Sequence, residues 1–133
     1  MNNGKVRFAY WHVAFLGEES QWAAEASECA SDQDAFWEYH DKLFASQNGE
    51  NQGAFSKENL KKFAADLKLD TAAFNECLDS GKYTQAVQEQ TGTANQLGVR
   101  STPAFLVNGY PILGAQPFEA FQQVIEGDLS ATK

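Results

Sequence analysis

The chain lacks closely spaced cysteines. Its two, Cys29 and Cys77, stand in separate stretches, so it holds no CxxC dithiol. Histidine is also scarce, and neither His12 nor His40 has a second ligand at metal spacing. There is no glycine-rich phosphate loop, no GxSxG and no HExxH, which removes the usual motifs of nucleotide binding, serine hydrolysis and zinc proteolysis. Basic residues number 10 against 18 acidic ones, and the net charge of -8 repels nucleic acid and anionic membrane surfaces. No apolar run approaches the roughly 20 residues that span a bilayer. No basic stretch followed by an apolar one marks a signal peptide. What is present is the substance of a folded globule: 133 residues, one domain by length, 43% hydrophobic and 13% aromatic.

The pattern along the chain changes twice. GKVRFAYWHV reads as a strand apolar on both faces, with Val6, Phe8 and Tyr10 on one side and Ala9, Trp11 and Val13 on the other. From Ser20 to Leu97 the period becomes helical. Ser20 is a candidate cap for a helix bearing Trp22, Ala26 and Cys29, with Glu18–Glu19 at its macrodipole. Asp32 is expected to open a second helix with the stripe Phe36, Tyr39, His40, Leu43 and Phe44. The loop SQNGENQGA follows, then helices capped by Ser56 and by Asp70, the latter closed by Gly81. A helix marked by Tyr83, Val87, Ala94 and Leu97 ends at Gly98. AFLV, Asn108–Gly109 and YPIL form a hairpin signal, and Pro111 assigns the second strand to a sheet edge. A last helix from about Pro117 turns Phe118, Phe121 and Ile125 inward and ends near Gly127. The order strand, about five helices, hairpin, helix indicates an α/β architecture.

These segments carry a family likeness. STPAFLVNG, followed by an apolar strand, Gly114 and a terminal helix, resembles the C-terminal half of DsbA-like thioredoxin-fold proteins. AAEASECASDQDAFWEYHDKLF is similar to that family's helical insertion, and GKVRFAYWHVAFLGEES to the strand leading into it. The resemblance implies an incomplete thioredoxin-like fold in a single domain, 1–133, with the insertion at about 18–98. It places Thr102 and Pro103 at the family's cis-proline position, on one wall of an active-site groove where backbone can pair with an extended peptide. The family's first strand and CxxC helix precede the segment matched by Lys5–His12, so no catalytic residue is expected in this chain. The implied function is that of a relative of thiol–disulfide oxidoreductases, which form or exchange disulfides in secreted proteins, inactive as this chain. The alternatives are a non-catalytic peptide-binding module and a glutathione-dependent isomerase or transferase; Thr102 and the cysteine pair favour the first reading over the last. Implied partners are proteins or peptides with thiols or disulfides, in a bacterial-type extracytoplasmic setting, with no cofactor and no metal.

Relatives with a bridge between the corresponding helices imply a structural disulfide between Cys29 and Cys77, which would point to an oxidising compartment. Two reduced buried thiols, or a pair active in exchange, remain open from the residues alone. His40 is expected as a hydrogen-bonded core histidine and His12 in a surface or hydrogen-bonded role. Phe36, Trp37, Tyr39 and Phe44 read as core, with Trp11 and Trp37 the aromatics to watch for exposure. Without the family's intervening strand, a gap of roughly 10 Å separates Val6–Trp11 from Ala104–Val107. Either those two segments pair directly or two chains complete one another as a symmetric dimer. The dimer is the favoured expectation.

Overall fold

The computed structural model describes residues 2–131, which form six helices and one two-stranded sheet. They divide into two compact units. One is His12–Thr93; the other joins the described residues up to Trp11 to those from Ala94 onward.

The helical unit contains α1 (Glu18–Ser31), α2 (Phe36–Ala45), α3 (Lys57–Asp66), α4 (Thr71–Asp79) and most of α5 (Thr84–Gln96). Its centre is α1, which packs against α2, α3 and α4. Ala26 and Ala30, one turn apart on α1, are fully buried, and their small side chains let those neighbours come close. Around them lie Cys29, Tyr39, Leu60, Ala64, Phe74 and Leu78. The Tyr39 hydroxyl donates to the Leu60 carbonyl oxygen at 2.8 Å, joining α2 to α3. Burial holds that phenol far above its ordinary pKa, so it stays a donor.

Helix boundaries follow local chemistry. The Ser56 hydroxyl accepts from the Asn59 N–H and the Asp70 carboxylate from the Ala73 N–H, the caps expected from the sequence. Four helices end with the same paired reverse turn. Asp34, Lys68, Gly81 and Gly98 adopt φ near +60 to +90°, and the following N–H reaches back to Ala30, Ala64, Cys77 and Ala94 respectively.

Several expectations are corrected. Ser20 is not a cap: α1 begins at Glu18 after Gly17, and Ser20 lies in its first turn. Asp32 does not open α2 but sits at the C-cap of α1, because the reverse turn at Asp34 separates the two helices. Of the stripe on α2 only Tyr39 is buried; Phe44 is 59% exposed and His40 half-buried, because α1 and α3 cover just one side of that helix. Leu97 lies beyond the end of α5 and is exposed.

In the other unit, β1 (Ala104–Val107) pairs antiparallel with β2 (Tyr110–Leu113) across Asn108–Gly109, both at positive φ as the two-residue turn requires. Gly114 N–H donates to Pro103 O at 2.9 Å, one step beyond the ladder. Hydrogen-bonded and non-bonded pairs alternate in such a ladder. Pro103·Gly114, Phe105·Ile112 and Val107·Tyr110 therefore bond, and Leu106·Pro111 does not. The N–H that Pro111 lacks would have pointed away from β1, which is why a proline fits there.

Phe105 packs edge-on against Phe121 of α6 (Phe118–Ala131), with ring centroids 4.8 Å apart, and Ile112 is buried on the same hairpin face. The opposite face carries Ala104, Leu106, Pro111 and Leu113, with Leu106 and Leu113 exposed. α6 continues past Gly127, a residue that α-helix tolerates at modest cost, and Phe118 is exposed at its start rather than turned inward. Val6–Trp11 joins no ladder, so the expected first strand and its direct pairing with Ala104–Val107 are absent among the described residues. A strand exists only where backbone pairs in a ladder, and the described sheet contains only β1 and β2. The α/β class and the five-helix block otherwise stand.

Candidate functional site

Thr102 and Pro103 stand at the entry to β1, joined by a cis peptide bond, and both side chains are exposed. Asn108 at the hairpin tip donates from its side-chain amide to Asp128 of α6 at 2.8 Å, tying tip to helix. The outward groups of β1, at Ala104 and Leu106, face away from β2 and have no sheet partner. These residues make a strand edge beside a proline, a geometry able to take an extended peptide.

Cys29 and Cys77 lie in the other unit, on α1 and α4, and are joined by a disulfide (S–S 2.09 Å, Cα–Cα 5.8 Å). Both thiols are thereby used, and among the described residues no cysteine is free. Cys29 is buried at 1% exposure, whereas Cys77 is only partly buried. A cleft of about 340 Å³ opens on the bridge, lined by both cysteines with Asp32, Gln33, Ala73, Glu76, Ser80 and Lys82.

Asp32 organises the rim of this cleft. It accepts from Lys82 Nζ at 2.7 Å and, by a very short hydrogen bond, from the Tyr83 hydroxyl. The Lys82 bond, then that from Tyr83, holds the Asp32 carboxyl below its usual range, and the same contact with Asp32 raises Lys82 and Tyr83. Asp32 is thus a carboxylate at neutral pH. Its Oδ2 lies 3.9 Å from Cys77 Sγ, a contact without a hydrogen bond because a bridged sulfur carries no proton. No local pattern marks this group: Lys82 lies 50 positions from Asp32, and only the fold brings them together.

His12 is buried, with Nε2 at 2.8 Å from Glu28 Oε1 and its backbone N–H donating to Gln90 Oε1 at 2.8 Å. It thus has the hydrogen-bonded role expected of it. His40 pairs with Asp41 at 3.0 Å and packs among Phe36, Trp37 and Phe44, a half-buried aromatic cluster rather than the core expected for it. Trp11 and Trp37 are both exposed. Glu19, beyond its place at the helix start, accepts from Gly53 N–H and Phe55 N–H and so pins the loop before α3. No cluster of three or more His, Cys, Asp or Glu side chains able to hold a metal occurs among the described residues.

The family model described as thioredoxin matches residues 1–127. The chain belongs to the thioredoxin family. It resembles the Na(+)/H(+) antiporter NhaA 1 of Salinispora arenicola (strain CNS-205), 32% identical over 130 residues, covering 96% of this chain and 19% of that protein. It also resembles the disulfide bond formation protein D of Bacillus subtilis (strain 168), 28% identical over 132 residues, covering 97% of this chain and 60% of that one. The chain therefore spans less than two thirds of these curated relatives. Among solved structures, the thiol-disulfide exchange protein alpha-DsbA2 of Wolbachia pipientis superposes with a TM-score of 0.80 at 21% identity, covering 95% of this chain and 67% of that one. The fold is thus DsbA-like, in a thioredoxin-family chain that carries no adjacent cysteine pair.

Proposed function

We propose that this chain supplies the peptide groove and the helical block of a DsbA-type thiol–disulfide oxidoreductase, and has no catalytic dithiol of its own. The observation that carries the reading is the family match over residues 1–127 in a chain whose two cysteines are both held in one bridge. Thr102, Pro103 and the free edge of β1 form the groove wall for protein or peptide substrates bearing thiols or disulfides. The Cys29–Cys77 bridge supports an extracytoplasmic, oxidising setting, where such bonds persist. The whole of 1–133 acts as a single domain with its helical insertion at about 18–98. Transport does not carry over from the antiporter, of which the shared stretch is 19%. Among the described residues no helix is long and apolar enough to cross a membrane.

Insulin reduction and dithiol oxidation test the reading. The chain alone should give no sustained turnover above background, and repeated turnover would overturn it. The decisive sequence to determine is the DNA upstream of Met1, where an in-frame strand and CxxC would put the dithiol in the same polypeptide.

A second reading, a non-catalytic peptide-binding module, is favoured by the absence of a free cysteine among the described residues together with the open edge of β1. Thiol-free extended peptides binding as well as thiol-bearing ones would select it. The bare face of Ala104, Leu106, Pro111 and Leu113 supports a symmetric homodimer in solution. Light scattering at micromolar concentration should give twice the chain mass, and a compact monomer would count against it.

A further inference from the structure

We propose that the Cys29–Cys77 bridge is a thiol-exchange site, attacked at Cys77 and selective for thiols on neutral or cationic carriers over anionic ones. The inference rests on the cleft and is independent of the groove at Pro103. A disulfide is cleaved by a thiolate approaching one sulfur, so access decides which sulfur is attacked. Both cysteines line the cleft, but Cys29 is 1% exposed whereas Cys77 is only partly buried, beside Ser80 and Ala73. A thiol of low molecular weight fits a volume of about 340 Å³.

The rim sets the selectivity. Its charged groups are Asp32, Glu76 and Lys82, two acids against one base. The base is already committed to Asp32, whose other oxygen accepts from Tyr83. Asp32 Oδ2 stands 3.9 Å from the sulfur to be attacked. The remaining excess of negative charge disfavours an approaching anion and favours a carrier with a compensating positive group.

A thiolate RS⁻ bonds to Cys77 Sγ, the Cys77–Cys29 bond breaks, and its electron pair leaves with Cys29 as a thiolate. Cys29 then takes a proton from water, because its apolar surroundings favour the neutral thiol. A second RS⁻ attacks the R-bearing sulfur, releasing Cys77 as a thiolate and RSSR. Two carrier thiols are oxidised and the bridge is reduced by two electrons. A buried Cys29 is a poor leaving group, so exchange is slow and stoichiometric rather than catalytic.

The test uses the full folded chain with cysteamine or reduced glutathione at matched thiolate concentration, quenched by acid and mapped by mass spectrometry after alkylation. The adduct should form on Cys77 with Cys29 alkylated, and cysteamine should react about fivefold faster than glutathione, the size expected when thiolates differing by two units of net charge meet one unit of excess charge about 8 Å away in water. The Glu76→Gln variant, at an exposed position, should bring the ratio close to one. An adduct on Cys29, or cleavage no faster than global unfolding, would overturn the site. Glutathione reacting as fast as cysteamine, or a ratio that Glu76→Gln leaves unchanged, would overturn the selectivity.

Discussion

The helical unit buries Tyr39, Leu60, Phe74 and Leu78 almost completely, whereas the hairpin unit leaves Leu106, Tyr110, Leu113 and Phe118 more than half exposed. The first has helices on several sides of α1 and a covalent tie between α1 and α4. The second has one helix against one face of two strands, and α6 buries none of its residues. The hairpin and α6 thus bury less apolar side chain than the helical unit does. The difference teaches that the helical unit buries its large apolar side chains, while the hairpin unit leaves much of its apolar surface open.

Substitutions can break that contrast if it is wrong. Phe74→Ala should have the largest effect, about 3–5 kcal/mol of lost stability in urea unfolding, because it opens a cavity among α1, α3 and α4. Cys77→Ser should cost about 4 kcal/mol, as expected from the chain entropy of a loop closed over 48 positions. Tyr39→Phe should cost about 1–3 kcal/mol, since it leaves the buried Leu60 carbonyl without its donor.

Asp32→Asn should have a smaller effect, and one confined in pH. The Asp32 pKa is lower folded than unfolded, so its contribution is present above the ordinary carboxylate range and is lost as pH falls through the folded value. Wild type and Asp32→Asn should therefore differ in melting temperature at pH 7 and converge as pH falls through the lowered folded value. Phe118→Ala should be smallest, within about 0.5 kcal/mol, as for other exposed sites. A loss at Phe118 as large as at Phe74 would erase the distinction between the units.

Much of this contrast was legible in the sequence. Ser56 and Asp70 announced their helices, Asn108–Gly109 its turn and Pro111 its edge, because each acts on backbone within three residues of itself. Gly81 and Gly98 marked helix ends, but Asp34 and Lys68 perform the same turn without glycine, so the start of α2 was misplaced at Asp32. The apolar stripe on α2 was visible, but which of its residues are covered depends on neighbours far along the chain. Asp32, Lys82 and Tyr83 could not be read as a group for the same reason. The first strand failed because a strand depends on its partner, which no local pattern supplies.

Pro111 makes growth of the sheet one-directional. A visiting strand finds intact donors and acceptors along β1, but beyond β2 the row is broken where proline has no hydrogen to give. An added strand therefore cannot be relayed through the hairpin to a further molecule. Two chains meeting along β1 would close on each other and stop, because the opposite edge, at Pro111, breaks the row a fibre needs.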